Sequence, residues 1–287
     1  MGLAMTWTSQ NPEVNTGYGP PMILHSIGGK EGISIRPDVD LEDRSPYRVF
    51  HDHEPYPTDQ GLVQRVIDNH KFYDLILTWR ESVLQACPNA VKYLHAGPYL
   101  SVLGNDLVIP SHVGWYTTPE SRYVAPLNSA KVFSASFLTS HMNDLSGHFL
   151  RQEIFSRLPE SVGSLPIHKH RSPPRIDEDA RGHFFTDFRY HIAVENCQYN
   201  NWMTEKLFDC FIGKAIPIYW GCPNVEEYFN MDGVLRFENY DDLIRVLQSI
   251  TPDTYQEKAA AIEDNFNRTI STYSQTNRLG KVIEENL

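Results

Sequence analysis

What this chain of 287 residues lacks narrows the field first. No stretch of roughly 18 consecutive apolar residues occurs, so no segment is expected to span a bilayer. The opening MGLAMTWTSQNPEVN has neither a basic segment nor an apolar one and does not read as a secretory signal. Its Gly2 and Thr6 fit the short pattern for N-myristoylation, which chance also satisfies. Cations are in deficit, with 25 Lys and Arg against 36 Asp and Glu and a net charge of -11. A general nucleic-acid or anionic-membrane binder needs the opposite balance, because it must displace phosphate counterions. An anionic ligand would have to be held locally, by a few placed cations. Only four cysteines occur, Cys87, Cys197, Cys210 and Cys222, with no C-x-x-C pair and no zinc spacing. They read as reduced, buried thiols, and the expected location is the cytoplasm. There is no internal repeat and no low-complexity tract. The GGKEG stretch at 28–32 lacks the spacing of a phosphate-binding loop and reads as a turn.

What is present is a composition of 41% hydrophobic and 12% aromatic residues, enough for a substantial core. Strand and helix patterns alternate along it. Candidate strands are Met5–Thr8, Pro21–Ile27, Tyr47–His51, Tyr73–Trp79 and Val91–His95, with helices over Gly61–Asn69 and Glu81–Cys87. After a change of composition at 117–130, a second series begins. Lys131–Leu138 reads as a strand and Gly147–Leu158 as a helix with Phe149, Leu150, Ile154, Phe155 and Leu158 inward. Residues 159–182 read as a proline-rich loop with room for one short strand, leaving His168 and His170 in solvent. Phe188–Val194 is a strand, Thr204–Ile212 a helix capped by Gly213, and Ala215–Trp220 a strand. A helical turn at Val225–Phe229, a short strand at Val234–Phe237 and helices over Tyr240–Ile250 and Pro252–Thr272 complete the chain. Such alternation predicts parallel sheets with helices on their faces. The expected architecture is two α/β domains, 1–130 and 131–287.

The segment from Tyr190 to Phe229 concentrates the chemistry. A buried strand ends at Glu195-Asn196, a polar loop follows, and Thr204-Glu205-Lys206 opens a helix. Polar residues at the carboxyl end of a parallel strand, facing a helix N-terminus, form the usual ligand crevice of an α/β sheet. The helix N-terminus favours an anion such as phosphate. A lysine in the first turn opposes the dipole, and makes sense if it meets a bound anion. Glu205 could accept hydrogen bonds from ribose or sugar hydroxyls. An exposed Glu205–Lys206 surface pair is the plainer alternative.

The same segment resembles the C-terminal signature of the family 10 glycosyltransferases, the α-1,3/1,4-fucosyltransferases. That signature is a strand ending F-E-N, then Y-x-T-E-K opening a helix, then a strand of the type I-P-I-Y-W-G-x-P. Here the blocks are Val194-Glu195-Asn196, Trp202–Lys206 and Ile216–Pro223, in order and at matching spacing. The resemblance implies a GT-B arrangement, two Rossmann-like domains facing a central cleft. The N-terminal one would serve the acceptor and the C-terminal one the nucleotide sugar. It implies that Glu205 and Lys206 bind the donor, with Glu195, Asn196 and Thr204 in the same site. Trp202 stands where the family has Tyr, and an indole there could stack on a ring. A family arginine that contacts the diphosphate falls on Arg151, after an insert, HMNDLSGHFL, longer than the family's. In the N-terminal half the family segment V-F-Y-T-G-E-N corresponds to Val49-Phe50-His51-Asp52-His53-Glu54. Glu54 then falls on the general base, just past a strand end.

The implied reaction is inverting transfer of L-fucose from GDP-fucose to a glycan hydroxyl. It needs no cofactor and no metal, since Lys206, Arg151 and the helix dipole meet the leaving charge and no D-x-D pair lies at an expected strand end. The expected partners are a nucleotide-sugar donor and an oligosaccharide acceptor. The same fold could use another donor such as UDP-xylose. Two readings come from other classes. One is a metal-dependent hydrolase built on His51 and His53, which requires a (β/α)8 barrel with further ligands. The other is a glycan- or nucleotide-binding module without catalysis.

Overall fold

The computed structural model describes residues 5–7, 22–27, 47–52, 60–94, 98, 100–103, 105–108, 112–113, 116–117, 124–171, 178–273, 282 and 285–287. The chain divides into two compact units. The first comprises Met1–His95, Asn200–Trp202 and Thr276–Leu287, and the second Ala96–Tyr199 and Met203–Gln275.

The first unit is built on five parallel strands in the order β1-β2-β3-β4-β5. They are β1 (Met5–Trp7), β2 (Met22–Ile27), β3 (Tyr47–Asp52), β4 (Leu75–Thr78) and β5 (Ala90–Lys92). Helix α1 (Gln60–Asp68) connects β3 to β4, followed by a 3-10 turn at His70–Phe72, and α2 (Glu81–Ala86) connects β4 to β5. Val66 of α1 and Val83 of α2 pack with Phe50, Tyr73 and Ile76 into one core cluster. Every residue of β4 is buried, as expected for a parallel strand covered on both faces. At the carboxyl edge, buried Asp52 accepts hydrogen bonds from Thr78 Oγ1 (2.8 Å) and Arg80 Nε (2.9 Å).

The second unit opens with a small antiparallel sheet, β6 (Ser101–Leu103), β7 (Asp106–Val108) and β10 (Val124–Pro126), and a two-stranded ribbon, β8 (His112–Val113) and β9 (Tyr116–Thr117). Its main sheet has the order β12-β13-β11-β14-β15-β16. The strands are β11 (Val132–Thr139), β12 (Ser161–Val162), β13 (Leu165–Arg171), β14 (Phe188–Val194), β15 (Ile216–Trp220) and β16 (Leu235–Arg236). All pairings are parallel except β12 with β13. The helices are α3 (Ser146–Arg157), α4 (Glu178–Thr186), α5 (Glu205–Ile212), α6 (Tyr240–Ser249), α7 (Thr254–Glu257) and α8 (Ala259–Thr272), with 3-10 turns at Val225–Glu227 and Met231–Gly233. Ala135, Phe137, Tyr190, Ile192, Ile216 and Ile218 of the sheet form one core with Ile154 of α3 and Leu243 and Leu247 of α6. Leu207 to Ile212 of α5 are all buried, because α5 lies between the sheet and α8.

Several details differ from the sequence reading. The division between compact units falls after His95, and within the segment read as a linker β10 pairs with β7 inside the second unit. The amide of Leu100 donates to the buried Asp209 carboxylate of α5 (2.9 Å), tying this segment to the second unit. Residues 159–171 hold two strands, β12 and β13, where one short strand was expected, and His168 and His170 sit on β13 but are exposed, as expected. Proline tolerates this place because Pro166 pairs only with the two-residue edge strand β12. In α3, Phe149 points outward at 60% exposure, while Gly147, His148, Arg151 and Ile154 are buried. The inner face of this helix is therefore polar over its first two turns, which apolar periodicity cannot find. The helix expected over Pro252–Thr272 is two, α7 and α8, breaking at Lys258. Two open parallel sheets are not the barrel that a His51–His53 metal site requires. His51 is buried with its ring edge-on to Tyr93, and His53 lies outside the described residues. Among the described residues no three His, Cys, Asp or Glu side chains gather to hold a metal ion. Likewise, among the described residues no helix is long and apolar enough to cross a membrane.

Candidate functional site

In the main sheet of the second unit, β13 lies on one side of β11 and β14 on the other. The strand order reverses there, and the crevice at the carboxyl ends of β11 and β14 is the place where open α/β sheets bind ligands. The helices that follow these two strands, α3 and α5, bring their first turns to that edge.

Glu195 directly follows β14 and is completely buried. Its Oε1 accepts the backbone N–H of Thr204 (2.8 Å) and its Oε2 accepts the Thr204 hydroxyl (2.6 Å). Thr204 is the N-cap of α5, and its Oγ1 accepts in turn from the Lys206 amide. The carboxylate therefore takes a place at the helix N-terminus that an anion would favour. Burial pushes the Glu195 carboxyl up from its ordinary value, while Lys206, with Nζ 4.0 Å away, and the Thr204 bonds act in the other direction. Gly221 packs directly on this group: a Cβ there would lie 2.5 Å from Glu195 Cγ and 2.4 Å from the Tyr219 hydroxyl.

Lys206 Nζ approaches Glu205 Oε1 at 2.9 Å and Thr204 Oγ1 at 3.2 Å. The Glu205–Lys206 pair expected as the plainer reading is thus formed, yet it is not a surface pair. The two side chains are 15% and 23% exposed and stand over a buried carboxylate.

Arg151 reaches the same edge from α3. Its side chain donates to the Val194 carbonyl (2.9 Å) and to Asn196 Oδ1 (2.8 Å). Burial draws the guanidinium down to about 10, with Glu195, Glu205 and Asp144 acting against that, so it remains charged at neutral pH. Two residues that the sequence reading did not single out complete the cluster. His148, one turn before Arg151, is 1% exposed and stands between Asp144 Oδ1 (2.5 Å) and Asn196 Oδ1 (3.1 Å). Gly147 donates its N–H to the Asn196 carbonyl (2.9 Å), and a Cβ on it would fall 1.8 Å from the Glu195 carbonyl oxygen. The sequence signal was the i, i+3 spacing of His148 and Arg151, which puts both on one helix face.

Seven of the eight expected site residues fall on described positions. Six of them, Arg151, Glu195, Asn196, Thr204, Glu205 and Lys206, gather at this edge. Within that group Glu195 and Thr204 form the buried frame, and Asn196, Glu205 and Lys206 retain exposure to solvent. Trp202 belongs to the first unit, where its indole is 2% exposed and lies 5.0 Å from Trp79, leaving little of the ring open to a ligand. Glu54 lies outside the described residues.

Comparison with known proteins places this geometry. Residues 129–258 match the model of the glycosyltransferase family 10 (fucosyltransferase) C-terminal domain. An α-(1,3)-fucosyltransferase, FucT, of Helicobacter pylori is 33% identical over 67 residues, 22% of this chain and 14% of its own length. The α-(1,3)-fucosyltransferase C of Drosophila melanogaster is 25% identical over 185 residues, 62% of this chain and 41% of its own. The chain thus spans less than half the length of either relative. The crystal structure of TarM superimposes with a TM-score of 0.52 at 11% identity, covering 93% of this chain and 54% of the other. That likeness, extending across both units, agrees with the GT-B fold class of two Rossmann-like sheets. The switch-point crevice with its E-N and T-E-K blocks lies inside residues 129–258, the segment that matches the glycosyltransferase family 10 (fucosyltransferase) C-terminal domain.

Proposed function

We propose that this chain transfers L-fucose from GDP-fucose to a hydroxyl of an oligosaccharide acceptor, inverting the anomeric carbon, with no metal or other cofactor. The observation that carries the reading is the grouping of Lys206, Arg151 and Asn196 at the switch point of the second sheet, around the N-terminus of α5. Lys206 and Arg151 stand among the carboxylates of Glu195 and Glu205 at this crevice, and an anionic ligand would take them as its cations in exchange for part of that pairing. A sugar diphosphate supplies it. The fucosyl donor follows the description of the family and the names of the relatives. The second unit is assigned to the donor and the first to the acceptor.

In the proposed step the acceptor oxygen attacks the anomeric carbon while the bond from that carbon to the diphosphate oxygen breaks. The acceptor proton passes to the Glu54 carboxylate, and GDP departs. Negative charge grows on the leaving diphosphate, and Lys206 and Arg151 stabilise it there. Glu205 offers acceptors to donor hydroxyls. Glu195 holds the Thr204–Lys206 turn in place and does not itself reach the ligand.

A thermal-shift titration with GDP, UDP and their sugars tests the assignment. GDP at a hundred times its dissociation constant should stabilise the protein by about 2.7 kcal/mol. UDP binding in preference to GDP would move the donor to a UDP-sugar such as UDP-xylose. Activity that EDTA abolishes and zinc or manganese restores would defeat the metal-free mechanism.

A further inference from the structure

His148 has two neighbours that place opposite demands on its ring. Asn196 Oδ1 is an acceptor whose orientation Arg151 settles, because a flipped amide would turn its NH2 against the guanidinium. His148 Nε2 must therefore carry a proton to bond that oxygen at 3.1 Å. Nδ1 lies 2.5 Å from a carboxylate oxygen of Asp144, which also only accepts. Serving both takes two ring protons, an imidazolium. The neutral ring has one. The N–H of Leu145 also approaches Nδ1, but at 3.3 Å it is the weaker contact. A neutral ring keeps its single proton on Nδ1, toward the shorter, charge-assisted bond to Asp144, and turns a lone pair on Asn196 Oδ1.

We propose that His148 is a positioning residue for the donor site: clamped by Asp144, it holds the Asn196 amide, and with it Arg151, fully only when both ring nitrogens are protonated. The proposal rests on the donor-site reading above. The charged groups acting on the ring are Asp144, from the loop before α3, and Arg151, one turn on along α3; Asn196 faces it from the end of β14. Glu195 and Glu205 act on Arg151 rather than on the ring. Burial and Arg151 draw the imidazole below its ordinary range, with Asp144 and Asn196 opposing. The proton is thus gained on the acid side of neutrality, and donor affinity rises as pH falls through that range.

The test is calorimetric binding of GDP-fucose, whose diphosphate does not titrate in this range, between pH 5 and pH 8. Wild type should tighten roughly threefold to tenfold toward pH 5, the value of one internal hydrogen bond. In His148→Gln the side-chain amide keeps a donor for Asn196 at every pH, so affinity should be flat and close to the acid wild-type value. His148→Asn, which reaches only Asp144, should be flat and weak. Asp144→Asn changes a partly exposed residue and should move the wild-type midpoint to lower pH. A wild-type profile without slope, or a slope that survives in His148→Gln, overturns the proposal. No GDP-fucose binding by wild type at any pH defeats the donor-site reading itself.

Discussion

Replacing Glu195 tests the frame of the site, because Ala and Gln at this position remove different things. Ala leaves the Thr204 amide, on a residue only 4% exposed, without its acceptor, a loss of about 1–3 kcal/mol. It also removes the hydroxyl bond to a charged oxygen, about 1.5–3 kcal/mol, offset by relief from burying that charge. The net expectation is a destabilisation of about 2–4 kcal/mol. For a domain of this size that lowers Tm by roughly 5–15 °C. Gln keeps an oxygen for the Thr204 amide and turns its NH2 to the hydroxyl, and should cost under about 1 kcal/mol. The pH dependence separates the variants further. Burial raises the Glu195 carboxyl above its unfolded value, so the folded state holds its proton longer. Wild-type stability is then greatest, relative to Glu195→Gln, below the unfolded carboxyl range, and falls as pH rises through the folded value. Calorimetric melting of wild type and both variants from pH 4 to pH 8 would read this directly. An Ala variant as stable as Gln, or a wild type that gains on Gln as pH rises, would refute the argument.

Lys206→Ala should weaken GDP binding by about 10- to 150-fold, the value of a charged hydrogen bond of about 1.5–3 kcal/mol, in a calorimetric titration; unchanged affinity would remove Lys206 from the diphosphate. Glu54→Gln should retain GDP affinity but lower turnover by about 10²-fold or more, measured as fucose transfer to an acceptor glycan. Near-normal turnover would exclude Glu54 as the base. Gly147→Ala drives a methyl group into the Glu195 carbonyl and must displace the first turn of α3. A loss of about 1–3 kcal/mol or more in urea unfolding is expected, together with weaker GDP binding; a neutral effect would show that α3 does not pack on β14 as described.

The sequence by itself determined the alternation of elements and the place of the ligand edge. The run IPIYW is apolar without alternation because both faces of a parallel strand are covered, and that composition is visible in one dimension. The T-E-K turn was legible for a related reason: a helix start has its own local chemistry, and Thr204 is the N-cap. Tertiary structure alone decided what each polar group does. Glu195 and Lys206 look equally polar in sequence, yet the first is sealed beneath Gly221 while the second stands partly in solvent. Trp202 follows the site's loop in sequence but packs on Trp79 in the first unit. The inward polar face of α3 was invisible because hydrophobic periodicity reports only apolar burial. His148 and Arg151 are buried by pairing with β14, through hydrogen bonds to residues more than forty positions away. The boundary after His95 was missed on similar grounds. The change of composition at 117–130 suggested a linker there, whereas a long-range bond such as that from Leu100 to Asp209 is not visible in composition.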